Sequence, residues 1–254
     1  MISPSTAMDG LAPSDQQDAP PSPLPTVIAI DGPAASGKST VGAAVADRLG
    51  YLYFDTGAMY RAVTWLALAQ GVAIGDEAAV TALAREAEID VRPAGEAADG
   101  RQYTVLVNGQ DATWGIREPA VANNVSQVSA YAGVRAAMVV QQRRLASRGR
   151  MVMVGRDIGT VVLPDAPLKI YLDASAAQRA RRRWQEEQAR AGQRSYEEVL
   201  AEVRRRDEID STRAVAPLRP AADAVIVDST ALTIEQVVAQ VVALARGTCG
   251  LDAA

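Results

Sequence analysis

Short apolar runs alternate with longer stretches in which apolar positions recur every three to four residues. Val27, Ile28 and Ile30 form a flat apolar run that reads as a buried parallel strand, and Val41, Val45 and Leu49 follow at i, i+4 and i+8 on one helix face. Residues 51–54 read as a short strand ending at Asp55-Thr56-Gly57. Residues 58–70 read as a helix, with Met59, Val63 and Leu66 at near-helical spacing. A helix is expected over 78–87 and a short strand over 89–91. From about 89 to 116 the character changes. Gly95, Gly100 and Gly109 punctuate short β pieces such as Tyr103–Val107, and Asn108-Gly109 is a hairpin-turn pair, so a small antiparallel insert is expected. The pattern then predicts helices over 119–129 and 131–147, strands over 151–154 and 168–172, charged helices over 176–191 and 196–209, a strand over 225–227 and a helix over 234–245. Flat apolar strands alternating with helices predict an α/β fold with a parallel sheet covered on both faces. No internal repeat is apparent.

Composition narrows the function classes. The 254 residues suit one α/β domain with insertions, and an apolar content of 48% supports a full core. Residues 1–26, rich in Pro, Ser, Asp and Gln, are expected to form a disordered tail, with Met8 as a second candidate start. Residues 246–254 are expected to be a flexible end. Of the net charge of −4, three units lie at Asp9, Asp15 and Asp18, leaving the remainder near neutral and without a general nucleic-acid surface. Lys38 and Lys169 are the only lysines; the arginine excess reflects either anion recognition or a coding bias. There is no histidine, which removes serine–histidine triads, most zinc enzymes and histidine acid/base chemistry. The one cysteine, Cys249, cannot close an internal disulfide, so a reducing compartment is expected. No apolar run reaches membrane-spanning length and the N-terminus lacks the pattern of a secretory signal. A cytoplasmic protein is expected.

The first strand runs into Gly32-Pro33-Ala34-Ala35-Ser36-Gly37-Lys38-Ser39, which fits G-x-x-x-x-G-K-[ST], the phosphate loop of nucleoside triphosphatases and kinases. A strand that turns through glycines into a helix N-terminus gathers backbone N–H groups at one point, and the helix dipole adds to the attraction for phosphate. Lys38 can neutralise phosphoryl charge and the Ser39 hydroxyl can help hold Mg²⁺. The bland alternative is an ordinary glycine-rich turn with a partly exposed lysine.

The loop alone does not separate a kinase from a switch or a helicase, but the arginines help. Arg179, Arg181, Arg182 and Arg183 stand together, followed by Arg190 and Arg194, with Glu186 and Glu187 partly compensating. Arg204, Arg205, Arg206 and Arg213 come next. Positions 179, 182, 183 and 186 share one side of a helix, as do 206, 210 and 213 if that helix continues. Transfer between two charged nucleotides calls for such a cluster on a movable cover; solvated helices laced with salt bridges are the alternative. Arg156 and Asp157 follow a strand end, where open α/β sheets bind ligands: Arg156 can face an acceptor phosphate and Asp157 a ribose or base amine, unless they are a structural ion pair. Asp55 either assists Mg²⁺ through water or holds the phosphate loop.

With these residues in view the chain resembles the bacterial cytidylate kinases, of the nucleoside-monophosphate kinase group. The matching pieces are residues 30–39, Phe54-Asp55-Thr56-Gly57-Ala58-Met59-Tyr60-Arg61, Ile116-Arg117 with 121–129, and Gly155-Arg156-Asp157-Ile158-Gly159-Thr160. Residues 169–175, Arg206-Asp207-x-x-Asp210 with Arg213-Ala214-Val215-Ala216-Pro217-Leu218, and Val227-Asp228-Ser229-Thr230 complete the set. Together, in this order, they are specific, and they span about residues 26–245.

The resemblance implies a three-layer P-loop NTPase fold over 27–245 with a parallel central sheet. It also implies a small β-rich monophosphate-binding insert, about 89–116, and a short helical arginine-rich lid, about 178–195. It implies transfer of the γ-phosphoryl group of ATP, with Mg²⁺, onto CMP or dCMP, by a monomer that engages neither nucleic acid nor membrane. Gly32, Pro33, Ala34, Ala35, Ser36, Gly37, Lys38, Ser39 and Thr40 would bind the ATP phosphates, with Arg182 from the lid and Mg²⁺ near Ser39. Thr56 and Tyr60 match the CMP end, and Ser126 and Asp157 the cytosine or sugar. Arg135 and Arg156 match arginines on the monophosphate, Arg206 and Arg213 residues around the acceptor and the transferring group, and Asp210 a residue near the sugar. Two departures stand out. Val154 occupies a position where relatives often carry an acid, which implies a less polar acceptor site, and Thr56 replaces a serine, which implies less room beside the sugar. Kinases of UMP, AMP or shikimate are the nearest rival readings, and a nucleotide switch or nucleic-acid-linked ATPase a more distant one.

Overall fold

The computed structural model describes residues 24–95, 97–189, 192–213 and 215–247. The expected tail through residue 23, the C-terminal end from 248 with Cys249, and Arg190, Ala191 and Ala214 lie outside the described residues. The chain runs through β1 (Val27–Asp31), α1 (Lys38–Leu49), β2 (Leu52–Asp55), α2 (Gly57–Ala69), α3 (Glu77–Glu86), β3 (Ile89–Pro93), β4 (Tyr103–Val107) and β5 (Gln110–Asp111). It continues through α4 (Pro119–Val128), α5 (Ala132–Ala146), β6 (Met151–Gly155), β7 (Leu168–Asp173), α6 (Ala176–Gln188), α7 (Tyr196–Thr212), β8 (Val225–Asp228) and α8 (Ile234–Ala245). The described residues start slightly before the expected boundary at 27. Pro25 O accepts a hydrogen bond from the Tyr51 hydroxyl at 2.7 Å, and Thr26 O one from Met151 N–H at 3.3 Å.

Five parallel strands make the main sheet in the order β2-β6-β1-β7-β8. Every residue of β1 and of β6 is buried. Successive side chains of a strand point to opposite faces, so both faces are covered, as the flat apolar runs predict. On one face α1 and α8 pack together, with Val41 and Val45 buried from α1 and Val237, Val238 and Val241 from α8. Gly42 is needed where α1 crosses β6, since a Cβ there would stand 2.6 Å from a Val154 methyl. After β1 the chain fills one side of the sheet with β2 and β6 and then the other with β7 and β8. The switch point therefore falls beside β1, and the crevice at the strand C-termini is the expected ligand position.

Strands β3, β4 and β5 form a separate antiparallel sheet. Asn108 and Gly109 both take positive φ, 50° and 80°, the geometry that an Asn-Gly hairpin turn requires. Ile89, Val91, Val105 and Val107 bury one face of this sheet within the main core, which fixes its place beside the mouth of the crevice. Helices α6 and α7 are different. They share a small core of their own, Ala180, Val199 and Val203 with Trp184, Tyr196 and Leu200, apart from the main one. Ser195 and Glu198 cap α7 reciprocally.

Candidate active site

The loop between β1 and α1 is built from backbone. Gly32 lies where a Cβ would meet the Leu172 carbonyl oxygen at 2.2 Å, so only glycine lets the chain leave β1 this close to β7. Ala35, with φ 59°, and Gly37, with φ 89°, both lie in the left-handed region and curl the loop back over the start of α1. No side chain caps α1 and its first turn holds no acid, so its amide donors and positive dipole end stay open to an anion. The Ser36 hydroxyl is buried without a hydrogen-bond partner among the described residues. Lys38 is buried and its ammonium donates to Pro33 O at 2.8 Å, folding back along its own loop. Burial, with Arg156 nearby, holds that ammonium well below the ordinary lysine range. An arriving anion would reverse this by supplying the missing negative charge.

Two cavities open on this loop. The loop-side cavity, about 580 Å³, is lined by Ala35, Ser36, Gly37, Lys38, Ser39, Thr40, Arg182 and the start of α8. Gly32 and Pro33 are buried and shape the loop without lining the cavity. The arginine-side cavity, about 720 Å³, takes in Thr56, Tyr60, Ser126, Arg135, Arg156, Asp157, Arg206, Asp210 and Arg213. Ala35, Lys38, Ser39 and Arg183 line both cavities, so the two meet at the end of the loop.

The arginine side is a lattice of paired charges. Arg135 donates to Asp157 at 2.5 Å and to Ser129 O at 3.3 Å, with its guanidinium 5.5 Å from the centre of the Tyr60 ring. Arg156 donates to Asp210 at 2.9 Å. Arg213 donates to Ala216 O at 2.5 Å, while its Nη2, 3.7 Å from Asp157, is buried and has no hydrogen-bond partner among the described residues. Burial first, and the Arg135 charge next, hold the Arg213 guanidinium below its ordinary range; burial and the charges of Arg156 and Arg183 do the same to Arg206. A cavity whose cations repel one another, with one guanidinium nitrogen unsatisfied, is prepared for an added anion.

Asp31 holds this lattice to the loop. Its carboxylate, 5% exposed at the end of β1, accepts the Ile158 N–H at 2.8 Å and the Gly159 N–H at 2.7 Å, in the π-helical turn Ile158–Val162 that follows Arg156 and Asp157. Burial pushes its carboxyl up to about 6 against the opposing pull of these two hydrogen bonds. On the other flank the Asp55 carboxylate accepts from the Ser39 hydroxyl at 3.0 Å and from the Gly57 N–H at 2.9 Å. Asp55 thus touches the phosphate loop through Ser39.

The arginine cluster divides by role. Arg183 and Arg194 pair with Glu187 and Glu202 inside α6–α7, which suits the salt-bridged-helix alternative for those two. Arg182 donates to Ser229 O at 2.5 Å and to its hydroxyl at 3.1 Å, beside the loop at Gly37. Thr56 lines the cavity, but its hydroxyl is committed to Val154 O at 3.0 Å. Val154 corrects an expectation: its side chain is fully buried against α1 and does not line the arginine-side cavity, so its apolarity does not alter that cavity's polarity. Arg61, Gln102, Tyr103 and Arg117 line the cavity with no role foreseen for them. Arg61 and Arg117 sat inside matched segments. Tyr103, whose ring lies 5.7 Å from that of Tyr53, is brought in only by the packing of the insert.

Comparison with known proteins fits this geometry. The family model described as Cytidylate kinase matches residues 28–247. A cytidylate kinase of Roseiflexus castenholzii is 53% identical over 225 residues, covering 89% of this chain and 95% of that protein. One of Herpetosiphon aurantiacus is 52% identical over 84% of this chain and 91% of that protein, and one of Bacillus licheniformis 51% identical over 83% and 91%.

Proposed function

The chain belongs to the cytidylate kinase family, and from that premise we propose how its two cavities divide one reaction. The enzyme transfers the γ-phosphoryl group of ATP to CMP or dCMP, giving ADP and CDP or dCDP. ATP takes the loop side and the nucleoside monophosphate the arginine side. A phosphate oxygen of CMP attacks the γ-phosphorus while the bond to the β–γ bridging oxygen breaks, and ADP leaves with that electron pair. The acceptor is already an anion at neutral pH, so no strong general base is needed, in keeping with a chain that lacks histidine. The observation that carries this reading is the meeting of the two cavities at Lys38 and Ser39, with the arginine lattice on one side alone.

Lys38 supports the transferring phosphoryl group, and loop amides with the Ser36 hydroxyl hold the donor phosphates. Arg156, Arg206 and Arg213 orient the acceptor phosphate and screen the equatorial oxygens. Asp157, an acceptor-only carboxylate, suits the exocyclic amine of cytosine and offers nothing to the carbonyl that uracil carries there. Arg135, through its ion pair, holds Asp157 in place, with Ser126 beside the base, Asp210 beside the sugar, and Thr56 and Tyr60 as walls. Arg182 closes on the donor nucleotide from the lid, taken as about 178–195. The residues present suit Mg²⁺: the Ser39 hydroxyl and the Asp55 carboxylate are hard oxygen donors side by side. Among the described residues there is no cluster of three acidic or metal-ligating side chains that would form an all-protein cage, as fits an ion carried largely by phosphates and water. When bound, Mg²⁺ supplies charge neutralisation across the β- and γ-phosphates. No helix among the described residues is long and apolar enough to cross a membrane.

A coupled assay with ATP and Mg²⁺ over CMP, dCMP, UMP, AMP and shikimate tests the reading. ADP formation that requires CMP or dCMP is the expected result. ATP consumption that ignores the acceptor would overturn it in favour of a hydrolase or switch.

A further inference from the structure

Arg179 is the most deeply buried of the lid arginines, at 4% exposure, and every nitrogen of its guanidinium is engaged. Its Nε donates to Ala174 O at 2.8 Å, where β7 hands over to α6. Nη1 donates to Ala34 O in the phosphate loop at 3.0 Å and to Asp207 at 2.9 Å, and Nη2 closes the fork on Asp207 at 2.6 Å. Asp207 sits on α7 between Arg206 and Asp210, which line the acceptor cavity, and Asp210 in turn holds Arg156. An unbroken chain therefore runs from a phosphate-loop carbonyl through Arg179, Asp207 and one turn of α7 to the arginine at the end of β6.

Three features make this more than a strut between packed helices. Helices α6 and α7 have their own small apolar core, so polar contacts carry much of their attachment to the body. The loop carbonyl that Arg179 holds immediately precedes Ala35, whose left-handed φ of 59° ties that peptide to the shape of the whole loop. A bidentate guanidinium–carboxylate fork also fixes orientation, which a single point contact would not. A loop that adjusts to phosphate thus moves the atom that positions Arg206 and Asp210.

We propose that Arg179, braced by Asp207, is a positioning residue that couples the donor and acceptor sites, so that filling the phosphate loop tightens the hold on the nucleoside monophosphate. The inference rests on the proposed assignment of the two cavities. Coupling is reciprocal, so the same contact makes the monophosphate tighten ATP.

Calorimetric titration of CMP into the full chain, with and without the Mg²⁺ complex of a β,γ-imido ATP analogue, reads the coupling directly. In the unaltered protein the analogue is expected to tighten CMP by at least about fivefold, the low end of common coupling energies. In Asp207→Asn and in Arg179→Lys the factor should fall to within about twofold of unity, while CMP affinity without analogue stays within about threefold of the unaltered protein. A purely structural tie would lower melting temperature and leave the factor intact. Retention of the full factor in a folded variant, or no coupling in the unaltered protein, would overturn the proposal. Arg179→Lys keeps the charge and one donor, so it decides the matter if Asp207→Asn does not fold. UMP and AMP are titrated and assayed in parallel. If one of them binds and is phosphorylated in place of CMP, the assignment of the acceptor fails, and the coupling is then read with that nucleotide.

Discussion

On the proposed assignment, the donor and acceptor sides of this crevice solve the same electrostatic problem with different materials. On the donor side, backbone amides at an uncapped helix N-terminus and one buried lysine line the cavity, with Arg182 and Arg183 at its rim. On the acceptor side, pairs such as Arg135–Asp157 and Arg156–Asp210 are already made, and one buried nitrogen of Arg213 has no hydrogen-bond partner among the described residues. Backbone amides recognise phosphate wherever it comes from, so the donor side is strong and unselective. Paired side chains cost desolvation and ordering, and what they return is discrimination, because a carboxylate held rigidly accepts only from a donor in the right place. On the proposed assignment, selectivity for one small nucleotide over another resides with the ion pairs.

The comparison breaks most severely at Lys38. Lys38→Ala is expected to lower kcat by on the order of 10²- to 10³-fold, the usual loss when one charge-stabilising donor is removed, with CMP affinity nearly unchanged. Steady-state kinetics with a CMP titration would show it, and unaltered turnover would contradict the role. On the acceptor side Asp157→Asn should act on selectivity more than on rate. The kcat/KM preference for CMP over UMP is expected to fall by roughly 10- to 100-fold, while KM for ATP stays put. An equal loss for both acceptors would remove Asp157 from base recognition and leave it as a scaffold for Arg135.

These two sides were not equally legible in the amino-acid sequence. The donor side is local: residues 32–39 are contiguous, and each glycine or lysine in them has a reason that needs no distant partner. The sheet was legible for a similar reason, since β1 and β6 are flat apolar runs and Asn108-Gly109 names its own turn. The acceptor lattice joins residues far apart in the chain: Arg135 to Asp157, Arg156 to Asp210, Arg179 to Asp207. Periodicity put these residues on helices and at strand ends, and the family resemblance gave several of them roles, but which carboxylate each arginine meets depends on how α5, α6 and α7 pack. Val154 shows the opposite error. An acid in relatives at this position implied a less polar acceptor site here, but the pleat of β6 turns the Val154 side chain toward Gly42 of α1. The π-helical turn Ile158–Val162 carries no period that separates it from a loop, although it presents the two amides that Asp31 binds.

Gly32→Ala tests the backbone construction of the donor side. A Cβ 2.2 Å from Leu172 O must move the loop or β7, at a cost of about 1–3 kcal/mol in stability. Chemical denaturation would measure that loss, and ATP affinity should fall with it while CMP binding is spared. A pH-dependent effect of comparable size lies at the joint between the two sides. The Asp31 carboxyl is raised in the fold to about 6, so the folded protein holds that proton more tightly than the unfolded chain does. Its contribution to stability therefore declines as pH rises from about 4 to about 6 and is fully unfavourable above that, by at most about 3 kcal/mol. Asp31→Asn does not titrate, so its stability relative to the unaltered protein should rise across this window. A pH-independent difference in urea unfolding would show that the carboxylate stays ionised throughout.

The central claim is that the γ-phosphoryl group passes directly from the loop side to the arginine side. Incubating the purified protein with γ-labelled ATP, Mg²⁺ and CMP, and resolving the products within a single turnover, tests it most directly. The account predicts label in the β-phosphate of CDP and almost none in inorganic phosphate. Label released as inorganic phosphate at a rate indifferent to CMP would contradict it.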